Sequence, residues 1–285
     1  METPERADVV VVGAGFGGLG AALALAERGA DVVVCETLAY PGGCASTFER
    51  RRCRFESGAT LFSGFGEGQL FAEWIARHGL DVEVDFLDPV VTLRTPGREL
   101  AIPATRAAWI DRLCALGPER EAAIRALFAE QGKAADALWA LFGEPALLPP
   151  FGATGLWRHL ARAPRHLPLL RWIGKPLSAL VEAYGLSDFE PLTTFLDAVC
   201  QITVQTSAAE AEAPFAMATM DYYFRGTGHV HGGIGALAWG LVSAIEAQGG
   251  RVRLPDRVKG LERRGDTWRV KTRRGLVEAP LVIAN

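Results

Sequence analysis

The spacing of apolar residues changes period twice within the first 36 positions. Val9, Val10, Val11 and Val12 form an unbroken β-branched run, too apolar for an edge, and predict a central strand of a parallel sheet covered on both faces. Gly13-Ala14-Gly15-Phe16-Gly17-Gly18 follows at once. Leu19, Leu23, Ala24, Leu25 and Ala26 then continue as a helix up to Gly29, which is placed to stop it as a left-handed C′ residue. Val32, Val33 and Val34 predict a second strand, and Glu36 stands at its end.

Strand, glycine turn, helix, strand and acid share one use, holding the ADP half of a dinucleotide. Gly13 permits the tight turn, Gly15 lets a pyrophosphate approach the backbone, and Gly18, with small Ala22 one turn later, lets the helix pack against the sheet. The free N–H groups of the turn and helix start, with Ala14, Phe16 and Gly17 among them, are expected to face the anion. Glu36 is placed to accept hydrogen bonds from both ribose hydroxyls, and its charge argues against the 2′-phosphate of NADP. A second glycine pair follows in Pro41-Gly42-Gly43-Cys44-Ala45-Ser46-Thr47. A nicotinamide dehydrogenase has no use for one there. The N–H groups of Gly42 and Gly43 and the hydroxyls of Ser46 and Thr47 could meet the pyrophosphate and ribityl chain of FAD; a plain flexible loop is the alternative.

Beyond the nucleotide half, Val82 to Pro103 reads as a β-hairpin turning at Thr95-Pro96-Gly97-Arg98. Residues 105–185 read as mainly helical. Trp109, Leu113 and Leu116 keep one spacing, and Ile124, Leu127, Phe128, Leu138, Leu141 and Phe142 another. Met217, Met220, Tyr222, Tyr223 and Phe224 suit either an apolar tunnel or plain core. Leu261 to Thr272 predicts a hairpin before a last strand at Leu281-Val282-Ile283-Ala284-Asn285. The expected fold class is α/β: a Rossmann-type FAD-binding domain, with a parallel sheet and an antiparallel hairpin, carrying an inserted α+β substrate domain. Residues 1–66 supply its first half, 67–225 the substrate domain with a helical cap, and 226–285 the returning half.

The motifs Val9 to Gly18, Glu36, Pro41 to Phe48 and Phe55-Glu56-Ser57-Gly58-Ala59-Thr60 resemble the N-terminus of the phytoene desaturase-like flavoproteins. That group comprises carotenoid desaturases, carotenoid isomerases and retinol saturases. Gly228 to Leu237, a helix to Ala247, Gly249-Gly250-Arg251-Val252-Arg253-Leu254 and Val258 are similar to the group's returning segment, in which a glycine pair comes back to the flavin and a valine reaches the adenine. The middle of the chain resembles it weakly. The resemblance implies FAD as cofactor, Val258 as an adenine contact, and an apolar polyene as substrate. Its chemistry would be oxidation or reduction of CH–CH bonds, by desaturation, saturation or redox-assisted isomerisation. Such chemistry needs orientation and exclusion of water more than acid–base groups, so no catalytic residue is named. In the group a further substrate-domain segment and a flavin segment follow the last strand. Their place here leaves open a non-catalytic fragment or one subunit of a split flavoprotein with a complementary C-terminal chain; a flavin amine oxidase is a second alternative.

Composition narrows the rest. The 30 Arg and Lys against 33 Asp and Glu give a formal charge of −3, and no long basic tract suits DNA or RNA. The five cysteines, Cys35, Cys44, Cys53, Cys114 and Cys200, form no C-x-x-C pair, which fits reduced thiols in a cytoplasmic setting. His229 and His231 alternate as a metal pair would, but no third ligand accompanies them, so no metal is expected. No run reaches the roughly eighteen apolar residues of a membrane span. Pro145 to Val181 lacks acids and interleaves Arg158, Arg162, Arg165, Arg171 and Lys175 with Leu156, Trp157, Leu160, Trp172 and Ile173. That pattern fits either peripheral contact with an anionic membrane, on its inner face, or a solvated helical cap.

Overall fold

The computed structural model describes residues 4–144, 152, 153, 155–158, 161 and 169–285. It divides into two compact units, Met1–Phe86 with Gly228–Asn285, and Leu87–Thr227. The first unit thus runs 20 residues past the expected boundary at 66, because the segment beyond it belongs to the nucleotide unit's own packing.

In that unit a short strand β1 (Glu5–Arg6) precedes β2 (Val9–Val12), helix α1 (Phe16–Ala26) and β3 (Val32–Cys35). A hairpin β4 (Thr47–Arg50) and β5 (Cys53–Glu56), helix α2 (Leu70–His78) and β6 (Val84–Asp85) follow. Trp74 of α2 and Leu80 pack on the helical side of the core, and Ile75, Val82 and Val84 pack around Phe65, Val230 and Leu237. These apolar contacts are why 67–86 belongs here.

The second unit holds the expected hairpin, β7 (Val91–Thr95) and β8 (Arg98–Ile102), with the turn at 95–98. Helices α3 (Arg106–Leu116), α4 (Glu121–Phe142), α5 (Leu177–Ala183), α6 (Glu190–Thr203) and α7 (Ala213–Thr219) follow it. Trp109, Leu113, Ile124, Leu127 and Phe128 are buried as their spacing requires, whereas Leu116 and Phe142, at helix ends, are exposed. Met217, Met220 and Tyr223 are fully or almost fully buried and form core. Buried Asp221 is neutralised by Arg106 and, at 3.1 Å, Arg225, and Gln131 donates to it at 3.0 Å. This satisfies the charge that burial would otherwise penalise.

The chain re-enters the first unit through β9 (His229–Val230), α8 (Gly235–Ala247), β10 (Arg251–Arg253), β11 (Val258–Arg264), β12 (Thr267–Thr272), β13 (Leu276–Ala279) and β14 (Leu281–Ala284). A four-stranded parallel sheet has the order β10-β3-β2-β14. A second sheet has the order β1-β13-β12-β11, antiparallel except for β1 on β13. The valine run explains the layering: Val9 and Val11 point to α1 and α8, while Val10 and Val33 point to Val270, Val277 and Ala279 of the second sheet. Both faces of the central strand are therefore covered, by helices on one side and by strands on the other. Among the described residues no helix is long and apolar enough to cross a membrane.

Candidate functional site: the glycine loop

The turn from β2 to α1 is built by groups that leave a cradle open. Gly13 takes φ +103°, a left-handed value that a side chain would strain. Gly15 is the N-cap and no side chain caps the helix, so the N–H groups of its first turn remain available to an anion. A Cβ on Gly18 would collide with the carbonyl oxygen of Gly13, which explains that glycine by packing alone. Phe16 turns its ring into an aromatic cluster, 5.6 Å from Phe62 and 5.8 Å from Phe71, leaving its main chain to the loop. Gly29 closes the helix at φ +83°, with Ala30 N–H bonded to Leu25 O at 3.2 Å.

Glu36 is buried behind this loop. Its Oε2 accepts the Ala14 N–H at 2.8 Å and its Oε1 accepts the Leu38 N–H at 2.8 Å. The carboxylate thus fixes the loop from within, and each oxygen retains lone pairs for a ribose hydroxyl. Its backbone is clamped too, donating to Arg253 O and accepting from Asp256 N–H. Cys35, beside it, lies 4.0 Å from Asp256 Oδ2, and burial with that neighbouring charge pushes its thiol up to about 12.

The second glycine pair docks directly on the first. Gly42 N–H donates to Ala14 O at 2.8 Å, both Gly42 and Gly43 have positive φ, and a Cβ on Gly43 would stand 3.2 Å from the Cα of Gly15. A loose loop is not what forms here. The hydroxyls, however, are committed elsewhere. Ser46 is buried with its Oγ 2.8 Å from Ser57 Oγ, and Thr47 Oγ1 donates to Glu56 Oε2 and accepts the Gly235 N–H, each at 2.8 Å. Glu56 Oε1 takes the Ile234 N–H at 2.9 Å. Thr47 and Glu56 therefore cap α8, and Gly233 lacks a side chain because one would strike Thr47. That capping, rather than a ribityl contact, accounts for Thr47.

One residue of the loop escaped the sequence reading. Asn285 N–H donates to Val12 O at 3.0 Å, and its exposed carboxamide lies across the glycines. Its Nδ2 is 2.9 Å from where a Cβ on Gly15 would stand, and its Oδ1 is 2.5 Å from that of Gly17. The signal available was its place at the end of a strand expected to return beside β2. Val258, in contrast, packs partly buried against the strand-covered face of the core and opens β11.

The other candidates pair with neighbouring groups. His231 pairs with Asp85 at 2.7 Å and Glu83 at 3.2 Å, His229 lies 3.3 Å from Thr60 O, and no metal-binding group occurs among the described residues. Much of Pro145 to Val181, including Arg162, Arg165 and Leu160, lies outside the described residues. Within the rest, Arg158 pairs with Glu144 at 2.8 Å, Arg171 with Glu130 at 2.5 Å, and buried Trp172 donates to Glu130 at 2.7 Å.

Residues 11–84 match the NAD(P)-binding Rossmann-like domain family. Human all-trans-retinol 13,14-reductase is 24% identical over 302 residues, covering 100% of this chain and 48% of that protein. Carrot (Daucus carota) chloroplastic prolycopene isomerase is 27% identical over 277 residues, covering 89% and 41%. The chain thus spans about half the length of the curated relatives it matches. Among solved structures, an oxidoreductase from Methanosarcina mazei superposes with TM-score 0.67 at 20% identity, over 98% of this chain and 58% of that one. Putrescine oxidase superposes with TM-score 0.63 at 19% identity, over 99% and 58%, and at such identities the likeness is one of fold. The chain is thus similar to retinol 13,14-reductase and prolycopene isomerase, and it carries a Rossmann-like domain match at its start.

Proposed function

We propose that this chain binds FAD and serves an oxidoreductase that acts on the CH–CH bonds of a carotenoid or related polyene. The observation that carries the reading is the loop itself: uncapped N–H groups at the start of α1, a second glycine pair docked on it, and Glu36 behind it. The donors fit a diphosphate and the carboxylate fits a ribose diol without a 2′-phosphate. Gly15 to Gly18 would hold the diphosphate, Glu36 the ribose, Gly42 and Gly43 the far side of the loop, and Val258 the adenine. Asn285 adds an exposed amide donor above Gly15. Bound FAD would supply the hydride acceptor or donor for an allylic carbon. The names of the two relatives, a retinol reductase and a prolycopene isomerase, support a polyene as substrate.

Titration of the purified chain with FAD, NAD+ and NADP+ tests the cofactor. FAD is expected to bind best, and NADP+ worst, with Asn285→Asp weakening FAD about tenfold by setting a charge against the diphosphate. Preference for NADP+, or no FAD binding, would overturn the reading. The substrate class is tested by anaerobic mixing of the reduced, FAD-loaded protein with retinol or a lycopene isomer. Polyene-dependent reoxidation or isomerisation supports it, and reoxidation by neither polyene while FAD remains bound removes the polyene but leaves the cofactor.

A further inference from the structure

Charge is distributed unevenly along this chain. Residues 251–274 hold 10 of its 30 Arg and Lys and 3 of its 33 acids, in a protein whose formal charge is −3. Several of these cations are spent on structure. Arg251 pairs with Glu5 at 3.1 Å and Asp31 at 2.7 Å, Arg253 pairs with Glu5, Arg264 with Glu262 at 2.8 Å, and Arg269 with Glu278 at 3.0 Å. Lys259, Lys271 and Arg273 are exposed and pair with no carboxylate among the described residues.

All three line one cleft of about 810 Å³ within the nucleotide unit, together with Arg253, Arg269 and Arg274. Against six cations it has two lining acids, Glu5 and Glu262, each already paired with an arginine. Gly260 lies in the same wall opposite Lys271, and a Cβ there would meet nothing within 4 Å, so a ligand can approach the strand closely. None of the glycine loop, Glu36 or Val258 contributes to it. The cleft is therefore separate from the dinucleotide site.

We infer that this cleft binds a compact polyanion carrying two or more phosphate groups. Cations held together on the walls of a concavity repel one another and focus a positive potential that a multivalent anion relieves. Lys259 and Lys271 offer point charges, and Arg273 offers a forked donor that matches phosphate oxygens. A concave site suits a discrete phosphate-bearing head better than a flat surface does, and that chemistry can come from a soluble ligand or from a lipid headgroup.

The test is calorimetric titration of the chain with inorganic tripolyphosphate in the presence of saturating ADP, at two salt concentrations. Binding is expected to weaken with salt. The triple change Lys259→Gln, Lys271→Gln and Arg273→Gln should cost at least roughly tenfold in affinity, the sum of three modest exposed charge interactions. Gly260→Asp, which sets a carboxylate in the open cleft, should do the same. Both variants should keep the parental far-ultraviolet dichroism and ADP affinity. A parallel sedimentation with phosphatidylcholine vesicles, with and without cardiolipin, whose headgroup carries two phosphates, separates the sources. Tripolyphosphate uptake assigns a soluble ligand, and capture by the anionic vesicles alone, lost in the triple variant, assigns a headgroup. Failure of the parent to bind either probe would overturn the inference, as would equal binding by the triple variant or loss of tripolyphosphate binding in Gly15→Ala.

Discussion

Two glycines three residues of sequence apart, Gly15 and Gly18, should fail in opposite ways when given the same methyl group. At Gly15 the backbone is extended (φ −68°, ψ 168°), and a Cβ would meet only Asn285 Nδ2 at 2.9 Å, the end of a side chain that can swing away. The loss of glycine at an N-cap, a few tenths to about 1 kcal/mol, is offset by a gain of about 0.4–1 kcal/mol from a stiffer unfolded chain. Thermal stability should therefore hardly change. The methyl nevertheless stands on the face a diphosphate must approach. Losing one charge-assisted bond costs about 1.5–3 kcal/mol, roughly tenfold to a hundredfold in affinity. At Gly18 the added methyl meets the carbonyl of Gly13, a main-chain atom that cannot move without opening the turn. Overpacking of that kind costs about 1–3 kcal/mol or more. At about 2–4 °C per kcal/mol, Gly18→Ala should melt roughly 2–12 °C below the parent. Calorimetric titration with ADP and melting followed by circular dichroism measure the two effects separately. If Gly15→Ala binds ADP within about twofold of the parent, or Gly18→Ala melts with it, the two glycines do not divide the work of binding and packing in this way.

Glu36→Gln leaves one of two main-chain donors facing an amide NH₂, so unfolding by urea should report a loss of about 1–3 kcal/mol, and NADP+ should gain relative to NAD+. An unchanged midpoint would mean that the carboxylate does not tie the loop. Thr47→Val removes the bridge from Glu56 to the Gly235 N–H and should cost a similar amount while leaving ADP affinity intact; a selective loss of ADP binding would return Thr47 to the cofactor. In native protein at mild alkaline pH, iodoacetamide should label exposed Cys44 and Cys53 quickly and spare buried Cys35, Cys114 and Cys200, which peptide mapping resolves. Burial pushes Cys35 up to about 12 and Cys200 to about 11 from an ordinary 9.0, so above that ordinary value the unfolded thiols ionise while the folded ones keep their protons. Stability should fall as pH rises through that window, and replacing both with Ser or Ala should flatten the slope.

The local unit is legible in the chain's own order of residues. From Val9 to Glu36 each residue's role follows from its neighbours: valines with both faces to bury, glycines where a turn and an anion need bare backbone, and an acid at the next strand's end. Covalent spacing brings these groups together, so the pattern can be read without knowing the rest. Tertiary structure decided what comes from far along the chain. Thr47 looks like a phosphate ligand in sequence, yet it caps a helix whose Gly235 lies 188 residues away, because the hairpin β4–β5 packs against the start of α8. Asn285 is one polar residue among many until β14 pairs with β2 and lays its amide over Gly15 and Gly17. The basic cleft is equally invisible as a site. Its cations lie within 22 residues of one another, but which of them remain unpaired depends on Glu5 and Glu278, which the second sheet brings beside them.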